Sequence, residues 1–246
     1  MEPIYRQTFT INDSAVDRYG RLKPSMILFY AQEVAGQHCN QLSVDYDTLA
    51  QKRMFWAVIR HKVQVTRLPQ RNETITVETW PMPTTRSAFP RSVVAYDENG
   101  NECFRSISLW VLMDLDTRNM ILPGKSGITV SGTLRGTELT TPASLHPAIL
   151  ENASSRKVCF TDLDRNGHMN NTRYLDWIAD LLPSAFHEAH PVREFTVCYL
   201  SEAIETQELK LSWQLLDGPV LQVHAHREKT DVVGAQERVF SALVQF

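Results

Sequence analysis

An internal repeat constrains the fold of this chain more than any other feature of its sequence. The segment from Asp17, DRYGRLKPSMILFYAQEVAG, aligns without gaps with the segment from Asp164, DRNGHMNNTRYLDWIADLLP, which lies 147 positions later. Asp, Arg and Gly coincide at the start of the two segments, and the apolar stripe of a helix follows in both. The stripe residues are Ile27, Tyr30, Ala31 and Val34 in the first copy and Tyr174, Trp177, Ile178 and Leu181 in the second. The sequence therefore predicts two copies of one structural unit.

Runs of alternating, β-branched residues follow each copy and predict antiparallel strands. The runs are 58–65, 74–80, 91–96 and 103–115 in the first half, and 194–199, 208–215, 220–227 and 238–246 in the second. Asn99-Gly100 and Asp217-Gly218 are typical hairpin turns. A helix can bury its stripe against one face of such a sheet, so two units would pair their sheets or edges. We expect an α+β pseudo-dimer in which each repeat is one long helix packed on an antiparallel β-sheet.

The composition changes between the two halves. From 123 to 152 the chain is rich in Gly, Ser, Thr and Pro and has no sustained periodicity, which is typical of a linker. This pattern predicts an N-terminal repeat at 1–125, a linker at 126–152 and a C-terminal repeat at 153–246.

Charge and composition argue against several classes of protein. A net charge of −3 and a pI near 6.2 do not suit a nucleic-acid-binding protein, which would need a basic face. The longest apolar runs are strand-sized, so no membrane span is expected, and MEPIYRQTFTI lacks the features of a signal peptide. The four cysteines are scattered without a framework or metal spacing. We expect a cytoplasmic protein with reduced thiols and no metal or cofactor, as either a monomer or a homodimer.

Three polar residues of the second copy, Asp164, Asn166 and His168, alternate just before the helix and form a candidate catalytic site. An imidazole exchanges protons near neutrality, a carboxylate can orient the imidazole or attack directly, and an amide can orient water or a carbonyl group. The backbone N–H groups from Met169 to Asn171 would lie at the helix start, where negative charge is stabilised. These groups are therefore candidate oxyanion donors.

A structural interpretation of the same residues stays open. Asp164 could cap a turn, and Asn166-Gly167 is an ordinary turn pair. Asn170 and Asn171 could cap the helix whether or not the site is catalytic.

The first copy is an internal control for these two interpretations. It carries Asp17, Tyr19 and Arg21 at the equivalent positions, so it keeps the carboxylate and lacks both the amide and the imidazole. We therefore expect one active site per chain, in the second copy.

The second copy reads Asp-x-Asn-x-His-Met-Asn-Asn-x-x-Tyr-x-x-Trp from Asp164 to Trp177. Together with the tandem arrangement and the landmarks at 79–81 and 110–114, this motif resembles the acyl-acyl-carrier-protein thioesterases, bacterial branch, over essentially the whole chain. The resemblance implies a tandem (double) hotdog fold. It also implies hydrolysis of fatty acyl thioesters on acyl carrier protein to free fatty acid, which terminates fatty acid synthesis. The alternatives are an acyl-CoA thioesterase of the same fold, a non-catalytic acyl-thioester sensor, and a hydratase or dehydratase.

The resemblance further implies that Asp164, Asn166 and His168 act together with an acidic residue on a later strand. Aligning that strand on the family pattern puts Cys198 at the position of the acid. Glu202 would fill the acidic role if the strand bulges or curves.

The resemblance also leaves the first repeat free to shape an acyl tunnel. The expected lining residues are Met54, Phe55, Trp56 and Trp80, although apolar residues at strand spacing are more often core. A basic rim would attract the acidic carrier protein. Its candidate residues are Arg86, Arg91, Arg156, Lys157, Arg165, Arg173 and Arg193.

Overall fold

The computed structural model describes residues 3–136, 138–229 and 235–246. The chain divides into two compact units, Met1–Pro142 and Ala143–Phe246, and the division lies inside the segment expected to be the linker. Among the described residues, no helix is both long enough and apolar enough to cross a membrane.

The first unit contains an antiparallel sheet and a long helix. Its elements are β1 (Tyr5–Thr10), α1 (Pro24–Gln41), α2 (Tyr46–Gln51), β2 (Met54–Val65), β3 (Thr74–Pro81), β4 (Phe89–Asp97), β5 (Glu102–Asp114), β6 (Met120–Ile121) and α3 (Pro123–Ser126). The strands follow the order β1-β3-β4-β5-β2, with β6 paired to β5. The four strands expected in this half are all present, because their alternating residues have one face to bury.

Helix α1 carries the apolar stripe of the first copy. Pro24 lies in its first turn, where the backbone N–H of a residue has no partner within the helix and its absence costs no hydrogen bond. Ile27 and Val34 are fully buried, and the ring of Tyr30 lies 4.7 Å from that of Phe9 in β1. The helix contacts β1 and β3, so the stripe and the facing sheet form the core of this unit.

The second unit repeats the plan with shorter helices. Its elements are β7 (Asn152–Lys157), α4 (Arg173–Ala179), α5 (Ser184–Ala189), β8 (Glu194–Tyr199), β9 (Glu208–Leu216), β10 (Val220–Glu228) and β11 (Gln236–Gln245). The strands follow the antiparallel order β8-β11-β10-β9-β7. Tyr174 of α4 is buried, and its ring packs edge-on against Phe240 at 4.7 Å and Tyr199 at 5.4 Å. These contacts fix α4 on β8 and β11.

The second helix is shorter than expected. Instead of one long helix, α4 has seven residues and ends at Ala179, and the separate helix α5 begins at Ser184, directly after Pro183. Proline has no N–H to donate to the carbonyl of Ala179, and it disfavours helical backbone at the residue before it. That carbonyl oxygen accepts the N–H of Leu182 at 3.3 Å, and a ring nitrogen of His187 lies 2.8 Å from it. The apolar stripe is kept at Tyr174, Trp177 and Ile178, which are all buried.

Candidate functional site

The motif residues of the second unit form a tight loop in front of α4. Oδ1 of Asp164 accepts hydrogen bonds from the N–H groups of Asn166 at 2.8 Å and His168 at 3.2 Å. The N–H of Asp164 donates to the carbonyl of His168 at 2.7 Å. Gly167 closes the loop with a φ of 77°, a conformation that favours glycine. Asp164 therefore holds the turn, as the structural interpretation of the sequence proposed.

The equivalent loop of the first unit has the same hydrogen bonds. Oδ1 of Asp17 accepts from the N–H groups of Tyr19 at 2.8 Å and Arg21 at 3.0 Å, and its N–H donates to the Arg21 carbonyl at 2.7 Å. Gly20 also has a φ of 77°. The repeat therefore extends from the sequence to individual backbone hydrogen bonds.

The structure brings His168 and Glu202 together. Nε2 of His168 lies 3.4 Å from Oε2 of Glu202, and their side chains are 16% and 43% exposed. The contact is possible because the motif loop runs beside the segment that follows β8. The N–H of Met169 donates to the carbonyl of Ala203 at 2.8 Å, and His168 forms an isolated bridge with Ile204. A carboxylate beside an imidazole orients the ring.

Cys198, the residue that sequence alignment put at the acidic position, has different surroundings. It is buried on β8, and its Sγ lies 3.6 Å from the carbonyl oxygen of Ala143. Strand β8 ends at Tyr199, whose hydroxyl donates to the carbonyl of Asn171 at 3.1 Å. The acidic residue next to His168 thus lies in the loop after the strand.

Two of the expected oxyanion donors are already engaged, which corrects the expectation from sequence. The Met169 N–H donates to Ala203, and the Asn170 N–H donates to the carbonyl of Asp162 at 2.8 Å. Side-chain Oδ1 of Asn170 accepts from the N–H and the hydroxyl of Thr172, both at 2.9 Å, so it caps the start of α4. The backbone here is held by neighbouring carbonyls rather than open to a ligand. The exposed amide of Asn166 remains at the tip of the loop.

Two tyrosines lie beside the motif, Tyr174, which is buried, and Tyr199, which is partly buried. Burial raises the pKa of Tyr174, the nearby carboxylates of Asp164 and Glu202 raise it further, and Arg227 opposes them. Burial likewise raises the pKa of Tyr199 well above its usual value. Both hydroxyls therefore stay protonated at neutral pH, and that of Tyr199 donates to the carbonyl of Asn171.

Sequence reasoning did not identify Arg227, although it contacts the segment that carries Glu202. It lies near the end of β10 opposite Glu237 of β11, and it donates to the Glu202 carbonyl at 2.5 Å. The only signal in the sequence was an Arg and a Glu on successive strands, a pattern that is usually found on the protein surface.

The two tryptophans expected in a tunnel pack within the first unit. Nε1 of Trp56 donates to the carbonyl of Val44 at 2.8 Å, and its ring meets Phe89 edge-on at 5.0 Å. Trp80 is 2% exposed, and its Nε1 donates to Oε1 of Glu138 at 3.2 Å. Substrate binding by Trp56 and Trp80 stays a prediction.

The basic residues expected at a carrier-docking rim differ in their surroundings. Arg91 is buried and reaches Thr79 at 3.2 Å and a ring nitrogen of His38 at 3.2 Å, so it is not part of a surface patch. Arg156 pairs with Asp180 at 2.7 Å. Five are exposed, namely Arg86, Lys157, Arg165, Arg173 and Arg193, and Arg173 pairs with Asp176 at 3.2 Å.

Within the described ranges, no group of three His, Cys, Asp or Glu side chains is placed to hold a metal ion.

Models of known protein families match most of the chain. Residues 2–122 match the model of the acyl-ACP thioesterase N-terminal domain, and residues 149–238 match that of the C-terminal domain. Among curated relatives, the chloroplastic palmitoyl-acyl carrier protein thioesterase of Gossypium hirsutum is 24% identical over 81% of this chain and 52% of its own length. The chloroplastic dodecanoyl-[acyl-carrier-protein] hydrolase of Cinnamomum camphora is 25% identical over 81% of this chain and 56% of its own. This chain thus spans about half the length of the curated relatives it matches.

Solved structures resemble the whole chain. An acyl-ACP thioesterase from Bacteroides thetaiotaomicron superimposes with a TM-score of 0.88 at 23% identity, covering 99% of this chain and 98% of the other. The 12:0-ACP thioesterase of Umbellularia californica gives 0.83 at 22% identity, covering 100% and 97%. These likenesses confirm the expected α+β double hotdog fold.

Proposed function

Because this chain belongs to the acyl-ACP thioesterase family, we propose that it hydrolyses fatty acyl thioesters of acyl carrier protein to free fatty acid and carrier protein. The reaction would terminate fatty acid synthesis. The contact between His168 and Glu202 is the observation that carries the proposal, since it joins a proton acceptor to a carboxylate beside a partly exposed loop. The equivalent loop of the first unit presents Arg21 instead, which cannot accept a proton at neutral pH.

In the proposed reaction, the pair of His168 and Glu202 accepts a proton from water as the water oxygen attacks the thioester carbonyl carbon. Collapse of the tetrahedral intermediate breaks the C–S bond, and the proton returns to the departing thiolate. Thiolates leave readily, so the difficult step is the attack. Water attack is favoured over attack by Asp164, because one oxygen of that carboxylate already accepts two backbone hydrogen bonds.

We assign the exposed amide of Asn166 to the oxyanion or the attacking water. Its backbone is fixed by Asp164, which holds the side chain at the tip of the loop on the same segment as His168. One donor to a developing oxyanion typically contributes ~3 kcal/mol to the barrier reduction. This role replaces the backbone donors at Met169 and Asn170, whose hydrogen bonds are already made.

The proposed partner is acyl carrier protein loaded with a fatty acyl chain. The exposed basic residues Lys157, Arg165 and Arg193 of the second unit support it, since the carrier of this family's substrates is acidic. We also propose a reducing, cytoplasmic compartment, which is supported by the four cysteines, all of them free thiols.

The deciding experiment measures release of free thiol from matched long-chain and medium-chain acyl groups on carrier protein and on coenzyme A. We expect faster turnover on the carrier protein. We expect Glu202→Gln to lower kcat roughly 100-fold, because the paired carboxylate is lost. Cys198→Ala is the matched control and should retain activity near wild type.

Each other outcome points to a different function. Faster turnover on coenzyme A would identify an acyl-CoA thioesterase. Tight binding without turnover would identify a sensor. If Glu202→Gln is active and Cys198→Ala is inactive, the role proposed for Glu202 would belong to Cys198 on β8.

A further inference from the structure

We propose that Arg227, held by Glu237, is a positioning residue that fixes Glu202 against His168 and sets the charge around that pair. The proposal rests on the proposed function, because it deepens the role of the same site. Arg227 donates to the backbone carbonyl of Glu202 and acts through the backbone of the loop.

The guanidinium of Arg227 uses a full set of hydrogen bonds. Nη1 donates to the carbonyl of Glu202 at 2.5 Å and to Oε1 of Gln207 at 2.8 Å. Nη2 donates to Oγ of Ser201 at 2.7 Å and to Oε2 of Glu237 at 2.8 Å, and Nε donates to the same Oε2 at 3.0 Å. These five bonds equal the number of N–H donors in a guanidinium, so the side chain has one well-defined orientation.

The hydrogen bonds of Arg227 hold both ends of the loop after β8. Ser201 and Gln207 bracket it, and Oε1 of Gln207 also accepts the N–H of Ile204 at 3.1 Å. Between them, the Glu202 carbonyl is tied to Arg227, and the next carbonyl, that of Ala203, accepts the N–H of Met169 beside His168. The loop that carries the carboxylate is therefore anchored to β10 on one side and to the motif loop on the other. An error of about 1 Å in such a placement can lower a rate about 100-fold.

Charge balance supports the same role. The hydrogen bond from Arg227 lowers the pKa of Glu237, so the two form a nearly neutral ion pair close to the site. Asp164 lies in the motif loop with His168, and Tyr174 is near enough for Arg227, Asp164 and Glu202 to act on its pKa. Lys229 is near enough to Glu237 to lower its pKa. Replacing Arg227 alone removes the ion-pair partner of the Glu237 anion, and removing the charge of Glu237 alone removes the ion-pair partner of the Arg227 cation.

The two single variants should therefore shift the acidic limb of the pH–rate profile in opposite directions. In Arg227→Met the carboxylate of Glu237 loses its partner and stabilises the protonated, inactive form of His168. The acidic limb therefore moves to higher pH. In Glu237→Gln the extra cation disfavours protonation, and the limb moves to lower pH. We expect Arg227→Met to lower kcat by about 10-fold to 100-fold with little change in KM. Arg227→Lys should recover part of the loss.

Arg67 offers a matched control in the first unit. Its guanidinium also ties a loop to carboxylates, Glu73 at 2.7 Å and Asp97 at 3.1 Å. We expect Arg67→Met to lower the melting temperature as Arg227→Met does, without moving the pH–rate profile.

The proposal is overturned if Arg227→Met and Arg67→Met reduce kcat equally with unchanged pH profiles, since Arg227 would then serve stability alone. A readout without turnover separates this failure from failure of the proposed function. The pH midpoint of the His168 ring signals, assigned by NMR with His168→Gln, should move in opposite directions in the Arg227 and Glu237 variants even if no thioester is hydrolysed. Unmoved midpoints in both would refute the positioning role.

Discussion

The loops at Asp17–Arg21 and Asp164–His168 have one backbone and two kinds of chemistry. Each holds an aspartate that accepts two N–H groups and a glycine at the same positive φ. Each also donates an N–H to the next segment, from Leu22 to Pro69 and from Met169 to Ala203, both at 2.8 Å. The side chains then diverge. Arg21 turns back to pair with Asp17 at 3.1 Å, whereas His168 turns outward to Glu202.

This difference separates what the fold needs from what the chemistry needs. The aspartate and glycine recur in both units, so the turn requires them. Arg21 also covers the ring of Tyr19 at 4.9 Å, which closes that loop on itself. The residue before Ala203 is Glu202, while the residue before Pro69 is Leu68. The features found only in the second unit are the amide, the imidazole and the facing carboxylate, and these are the groups to which we assign the proposed hydrolysis.

The largest effect should separate the two loops completely. We expect His168→Ala to lower kcat roughly 1000-fold, because the proton acceptor is removed while the backbone of the loop stays intact. Arg21→Ala removes the partly exposed ion pair with Asp17 and the contact with the Tyr19 ring, and it should leave kcat near wild type. Thiol release from acyl carrier protein substrates measures both, with circular dichroism as the check on folding. Equal losses would show that the two loops are not chemically distinct.

A smaller effect concerns the aspartate that the loops share. Asp164→Asn keeps an oxygen that can accept the N–H groups of Asn166 and His168, so we expect turnover within about tenfold of wild type. Asp164→Ala removes that acceptor, loosens the loop and should lower kcat further, at a stability loss of ~1 kcal/mol. Asp17→Asn is the matched control for the first unit and should affect stability only. If Asp164→Asn is as inactive as His168→Ala, the carboxylate itself attacks the thioester.

The parts of the molecule that sequence predicts well are those set by local patterns. Strand β8 has the predicted bounds of Glu194 and Tyr199, because alternation and β-branching directly reflect a half-buried sheet. The repeat was equally accessible, since both the turn residues and the helix stripe are short-range signals. The length of α4 was not predictable from the sequence. Its end depends on which groups donate hydrogen bonds to the Ala179 carbonyl, since Pro183 has no N–H.

The acidic partner of His168 depended on information that is absent from local sequence. Glu202 lies beyond the end of β8, in a loop that includes Thr206 at a φ of 70°. Aligning the strand on the family pattern put Cys198 at the acidic position, and Glu202 was predicted only for a strand that bulges or curves. The engaged N–H groups of Met169 and Asn170 depend on carbonyls from distant or folded-back segments. Arg227 acts through the reach of a long side chain across two strands. Each of these is a tertiary contact, which no periodicity records.

The smallest effect tests whether the shared turn matters equally in both units. Gly20 and Gly167 have the same φ of 77°, and an added Cβ would meet only a side-chain atom of Gln70 at 3.8 Å in the first case and nothing within 4 Å in the second. Strain of the left-handed backbone alone should therefore lower the free energy of unfolding by ~1 kcal/mol in each alanine variant. Exposed Gly36 in α1 is the control, because its replacement by alanine should stabilise the helix by up to ~1 kcal/mol. Denaturant unfolding measures all three. Only Gly167→Ala should also reduce kcat, because the turn in the second unit positions His168 next to Glu202, whereas the turn in the first unit is structural. An equal reduction of kcat in Gly20→Ala would contradict this difference between the two turns.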